Sequence, residues 1–206
     1  MTNRFFDTVF SESVRAAQAD NGSADAYGRH LGKSTGPDIF TMQEASFIRA
    51  RDSFYMASTN QSGWPYVQHR GGPAGFVKVL DESSFGIADF RGNRQYVSLG
   101  NTADDDRVAL FFMDYPNRRR LKVLAHLKSV DLAERPDLAD RLIDENYGAK
   151  IERGFVFSLE AFDWNCPQHI TPRFTNSEIS EIVEQQEEKI ESLEKELARL
   201  RAQKRD

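Results

Sequence analysis

The segment Phe90-Arg-Gly-Asn-Arg-Gln95 has the residue types needed to hold a small anion. It follows a strand-like run and precedes a stretch that reads as helical. Backbone amides and guanidinium groups in such a loop can converge on phosphate oxygens. Arg94 can bind two oxygens through its planar fork, and Asn93 can donate from its side-chain amide. The alternative is a solvated turn with Arg91 and Arg94 in water. A second basic group, Asn117-Arg-Arg-Arg120, stands just before a strand. Neighbours on an extended chain alternate sides, so at most one or two of these arginines face a site, and the rest are solvated or guard a sheet edge. Gln68-His-Arg-Gly-Gly72 joins polar side chains to glycines that admit close backbone approach of a ligand. If the strand continues there, His69 and Arg70 point to opposite faces. Trp164-Asn-Cys-Pro-Gln-His-Ile-Thr-Pro-Arg173 offers a flat indole to a planar ligand, with hydrogen bonds from Gln168 or His169. Read otherwise, Pro167 and Pro172 make it a rigid connector.

Other chemistries are poorly served. The histidines at 30, 69, 126 and 169 lack metal-ligand spacing, and the single Cys166 allows neither an internal disulfide nor a multi-cysteine metal site. No Ser/His/Asp or Cys/His arrangement is legible, so no catalytic residue is named and no metal is expected. A net charge of −5 argues against a nucleic-acid partner. Basic residues nevertheless gather between Arg91 and Arg120, while acidic ones cluster at 103–106 and beyond 178, which suits a pocket for a small anion. No apolar run approaches the roughly 20 residues that span a bilayer, so no membrane association is expected. The opening MTNRFFDTVF has no apolar core of a secretory leader, and with one cysteine a reducing, cytoplasmic setting is expected.

The elements that must position these residues follow from periodicity. Residues 1–40 form a polar N-terminal arm with a short helix over Phe5–Gln18. Thr41-Met-Gln-Glu44 is a capping-box pattern opening a helix to about Arg51. Strands are predicted at Ser53–Thr59, Pro65–Arg70, Gly75–Leu80, Phe85–Phe90, Arg107–Met113, Leu121–Val130 and Gly154–Phe162. Asn60-Gln-Ser-Gly63 joins the first two as a hairpin. Helical segments are expected at Arg94–Asn101 and Pro136–Tyr147. Short strands with a crossing helix make a mainly β fold with flanking helices, a barrel over residues 41–175. From Ile179 the apolar positions continue through Val183, Ile190, Leu193, Leu197 and Leu200 at alternating three- and four-residue steps, with Gln186 as the polar member. That seam predicts a coiled-coil helix over 176–206.

Taken together, Ala57–Tyr66, Ile87-Ala-Asp-Phe-Arg-Gly-Asn-Arg-Gln95, Asp106–Phe112 and Arg118-Arg-Arg-Leu-Lys122 resemble the FMN-binding split-barrel family related to pyridoxamine 5′-phosphate oxidase. The likeness spans roughly residues 42–173, and the order of the segments carries it. It implies a homodimer with flavin mononucleotide (FMN) sites at the subunit interface. Gly92-Asn93-Arg94-Gln95 falls where the oxidase has its phosphate-binding Gly-Ser-Arg-Lys loop. The resemblance thus makes Arg94 the leading phosphate ligand, with Asn93 for Ser, Gln95 for Lys and Arg91 as a compensating charge, beside Asp89 and Phe90. The strand holding Gln68, His69, Arg70 and Gly71 would also line the cofactor. The resemblance further places Arg119 and Arg120 near it, and Trp164 and Gln168 near the flavin ring. Arg and Lys of the oxidase's substrate-side strand are not at matching positions. The expected function is an FMN-dependent oxidoreductase acting on a small-molecule redox substrate. The alternative is a non-catalytic sensor binding flavin or another cofactor and signalling through the coiled coil.

Overall fold

The computed structural model describes residues 3–164 and 166–203. Two compact units divide the chain: one runs to Asp114 and resumes over Arg119–Gln168, and the other comprises Tyr115–Arg118 and the chain from His169.

The first unit begins with three short helices, α1 (Asn3–Val9), α2 (Glu12–Asp20) and α3 (Ala24–Gly28). The single helix expected over Phe5–Gln18 is broken at Ser11. That residue is extended and accepts a hydrogen bond from the Val14 amide, so the chain starts a new helix there. Phe5 and Phe6 are buried with Ala161 and pack against Leu124, so this segment lies on the sheet. Helix α4 (Met42–Arg49) has the expected capping box: Thr41 accepts from the Gln43 amide, and Glu44 accepts from the Thr41 amide.

Strands β1 (Ser53–Thr59) and β2 (Pro65–Gly71) form the hairpin. The Asn60 side chain accepts from the Ser62 and Trp64 amides, and Gly63 takes φ +82°, a conformation glycine adopts without penalty. There follow β3 (Lys78–Asp81), β4 (Ser84–Phe90), α5 (Val97–Asp104), β5 (Arg107–Asp114), β6 (Arg119–Val130), α6 (Pro136–Leu142) and β7 (Ile151–Trp164). Helix α6 stops five residues before the expected Tyr147: Ile143 is extended, and the Asp144 carboxylate accepts from the Asn146 amide in a turn. Strand β7 outruns its predicted span at both ends, because β6 and β4 pair with different stretches of it.

All seven strands are antiparallel, in the order β2-β1-β5-β6-β7-β4-β3. A flat sheet in that order would keep β4 far from β5. Instead Phe85 of β4 meets Phe112 of β5 at 6.2 Å between ring centroids, and Phe54 of β1 meets Phe157 of β7 at 6.3 Å. The sheet is therefore curled around one aromatic core, with Phe85 stacked on Phe157 at 4.7 Å. The outermost strands β2 and β3 remain unpaired on one side, leaving a split.

The second unit holds α7 (Asn176–Gln203). It begins at Asn176, the first residue of the span expected for this helix, where Thr175 and Glu178 form a reciprocal cap: Glu178 accepts from the Thr175 amide at 2.7 Å, and Thr175 accepts from the Glu178 amide. Arg173 lies 4.9 Å over the Tyr115 ring. Among the described residues no helix is long and apolar enough to cross a membrane.

Tight packing where α6 meets β4 and β7 yields a test. A β-carbon at Gly86 would stand 2.9 Å from the Phe155 carbonyl oxygen and 3.0 Å from Leu142 Cδ2. The carbonyl belongs to a paired strand and cannot retreat. Gly86→Ala should therefore destabilise the protein by about 1–3 kcal/mol in urea unfolding.

Candidate functional site

Alternation along β2 sets the site. Gln68 and Arg70 pair with Met56 and Phe54, which are core residues, so these two polar side chains point inward at the split. His69 turns outward beside Tyr55, with ring centroids 5.5 Å apart, opposite to Arg70 as expected. Arg70 Nη1 donates to Asp89 Oδ1 at 2.6 Å. This bond joins an edge strand to β4 across the split, where no backbone ladder connects them. Arg153 Nε stands 3.4 Å from the other Asp89 oxygen, at ion-pair distance.

Helix α5 lies at the same opening. Ser98 donates to Gln68 at 2.8 Å, and Asn101 donates to Ser58 at 3.0 Å. The helix starts at Val97 rather than Arg94, because Arg94 (φ +62°) and Tyr96 (φ +53°) are both left-handed. Two non-glycine residues in that region mark a loop whose shape is imposed by its surroundings. Asn93 accepts from the Gln95 amide, and Arg94 Nε donates to the Tyr96 hydroxyl at 3.3 Å. Tyr96 in turn donates to Glu152, which also lies 3.6 Å from Arg91 Nε.

Two adjoining cavities of about 50 and 220 Å³ share Gln68, Arg70, Asp89, Phe90 and Gly92 as walls. The smaller adds Asn93, Arg94, Tyr96, Ser98, Leu99, Glu152 and Phe155, and the larger adds His69, Gly71 and Arg91. Four arginines (70, 91, 94 and 153) thus meet two carboxylates, Asp89 and Glu152, leaving two positive charges in excess. The Arg70 Nε is buried and has no hydrogen-bond acceptor among the described residues. Burial dominates Asp89 and pushes its carboxyl above the usual range; Arg70 and Arg153 pull it down, and nearby Glu152 adds to the rise. An anionic group with several acceptor oxygens fits this combination of an orphaned donor and excess positive charge.

Among the sequence-derived residues, Gln68, His69, Arg70, Gly71, Asp89, Phe90, Arg91, Asn93 and Arg94 come together. The side chain of Gln95 is not in either wall. Arg119, Arg120, Trp164 and Gln168 are elsewhere in the chain. Arg119 stacks 4.6 Å over Trp164 and 5.3 Å over Phe47, whereas Arg120 lies 6.0 Å over Phe111, its Nε buried without an acceptor among the described residues. Gln168 is exposed. Ser98, Tyr96, Glu152, Arg153 and Phe155 escaped the sequence reading. The register that sets Asp89 opposite Arg153 is a pairing between distant segments with no local signal.

Two roomier hollows of about 400 and 410 Å³ lie along β1, β5 and β6. The latter has an almost wholly apolar wall, including Tyr55, Val67, Phe111 and Leu124, and so lacks the convergent charge of the split.

No family model matches the chain, and no curated protein matches it. Several solved structures align with part of the chain at low identity. An FMN-binding protein from Syntrophomonas wolfei has 10% identity and a TM-score of 0.45, covering 60% of this chain and 87% of that one. A Clostridium acetobutylicum protein of the pyridoxinephosphate oxidase family, related to general stress protein 26 of B. subtilis, has 13% identity and a TM-score of 0.42, over 67% and 95%. HupZ of Group A Streptococcus has 10% identity and a TM-score of 0.46, over 66% and 100%.

Glu44 ties Trp164 to the fold: the indole Nε1 donates to its carboxylate at 2.7 Å. Burial raises the Glu44 carboxyl, but hydrogen bonds from Thr41 and Trp164 outweigh it and hold the group below its usual range. A folded-state value below the unfolded one stabilises the protein above the unfolded pKa of about 4.3, and that stability is lost as pH falls through the lowered value. Wild type should be more stable than Glu44→Gln at neutral pH. In denaturant titrations the gap should close as pH drops below about 4.

Proposed function

We propose that the split between β2, β4 and the start of α5 binds FMN, with the phosphate at Gly92–Arg94. The observation that supports this most is the buried, acceptor-less Nε of Arg70 amid two excess positive charges. Arg94 and Arg91 would neutralise the phosphate. Asn93, whose side-chain oxygen is occupied by the Gln95 amide, is left with its amide donors for the same oxygens. Gln68 and Arg70 would reach the cofactor from β2, and Phe90 would supply apolar contact.

Bound FMN would supply hydride or electron exchange with a small-molecule redox substrate, making the protein an oxidoreductase. The chain's own contribution is placement and charge. The protein is proposed to work as a homodimer. The open apolar sheet face, with Tyr55 41% and Val67 61% exposed, supports this, since a patch of that kind is costly to leave in water. In such a dimer Arg119, Arg120, Trp164 and Gln168 would serve a site shared with a partner subunit. A reducing, cytoplasmic setting is proposed from the cysteine content.

Titration of purified protein with FMN, followed by flavin fluorescence, tests the reading. Arg94→Ala should weaken FMN binding about tenfold or more, the effect of losing charged hydrogen bonds. The variant should lose most of its preference for FMN over riboflavin, which lacks the phosphate. Wild-type protein that takes up no flavin at saturating FMN would refute the proposal.

A further inference from the structure

Helix α7 presents a regular apolar seam that its own chain leaves half exposed. Ile179, Val183, Ile190, Leu193, Leu197 and Leu200 each keep between 46% and 55% of their surface in water. A heptad register follows from the spacing: Val183, Ile190 and Leu197 occupy a positions, and Ile179, Gln186, Leu193 and Leu200 occupy d positions. β-Branched residues at the first two a positions, with leucine at later d positions, favour two parallel strands.

Charge decides who the partner is. The flanking g positions include Lys189 and Glu196, and the e positions include Glu194 and Arg201. In a parallel, in-register pair of identical helices, each g residue meets the e residue five places further along its partner. Lys189 then faces Glu194 and Glu196 faces Arg201, in both directions by symmetry. In the antiparallel arrangement that aligns the same seam, Glu187 would face Glu194 twice and Lys189 would face Glu196 twice. Two like-charge contacts would then offset two attractive ones, where the parallel pair has four attractive ones. The one ion pair within the helix, Lys195–Glu191, lies on the outer face and leaves those four charges without ion-pair partners in their own chain among the described residues.

We infer that α7 pairs with α7 of a second copy of this chain as a parallel, in-register two-stranded coiled coil, with Gln186 against Gln186 fixing the register. This does not depend on flavin binding.

Full-length protein carrying Cys166→Ser and Gln186→Cys tests it. In the parallel pair the two new thiols are adjacent at a d layer, whereas in the antiparallel one they would be separated along the axis by about 16 Å, beyond disulfide reach. Mild oxidation should convert most of the chain to a linked dimer. In the Cys166→Ser background, a mixture of Gln186→Cys and Leu197→Cys chains that links mainly between the two types would overturn the inference. So would failure of Gln186→Cys to link. A second measurement uses charge in otherwise native chains. Lys189→Glu should raise the dissociation constant of the helix pair roughly three- to tenfold, and adding Glu194→Lys should restore it. Sedimentation and helix melting that respond to neither change would also overturn it.

Discussion

The ion pair between Arg70 and Asp89 is the constraint on which the site depends. Among the described residues backbone ladders hold six strand-to-strand seams, but none joins β2 to β4. Side chains do that work at the split, with Arg153 approaching the second carboxylate oxygen. A buried carboxylate between two guanidinium groups is expensive to assemble and more expensive to leave half made. Its presence fixes how wide the opening is and where the arginine forks point. Arg70 spends only part of its donor set on Asp89, and its buried Nε has no acceptor among the described residues.

Curling the sheet brings β4 toward the edge that one short helix covers. Phe54, Phe85, Phe112 and Phe157 draw non-adjacent strands together, and that shared core brings β4 round toward β2. Helix α5 then fastens to the β1–β2 hairpin through Ser58 and Gln68. The inner face of β2 is polar: Gln68 and Arg70 occupy positions that Met56 and Phe54 fill with apolar bulk on the neighbouring strand.

Much of this was legible in the residue order. Apolar runs bounded by turn residues marked the seven strands, the Thr41–Glu44 box marked the start of α4, and the opposite directions of His69 and Arg70 followed from strand geometry alone. Boundaries failed where side chains compete with the regular backbone. Ser11 divided a helix that composition made continuous, and Arg94 and Tyr96 delayed α5 by three residues. Asp89 was legible but Glu152 and Arg153 were not, because they reach it only through a strand register set some 60 residues away. Arg119 and Trp164 were expected beside a cofactor; within one chain Arg119 stacks over Phe47 and Trp164, and the indole donates to Glu44.

The left-handed backbone at Arg94 and Tyr96 bears on the cost of recognition. Each such residue is disfavoured by about 1–2 kcal/mol relative to an ordinary helical conformation, and folding has already absorbed that penalty. A floppy loop would have to give up its freedom at the moment of capture, subtracting from affinity. A loop held in shape by the Tyr96–Glu152 bond would meet the proposed ligand already arranged. The strain is thus an entropy expense moved from the encounter to the folding of the chain.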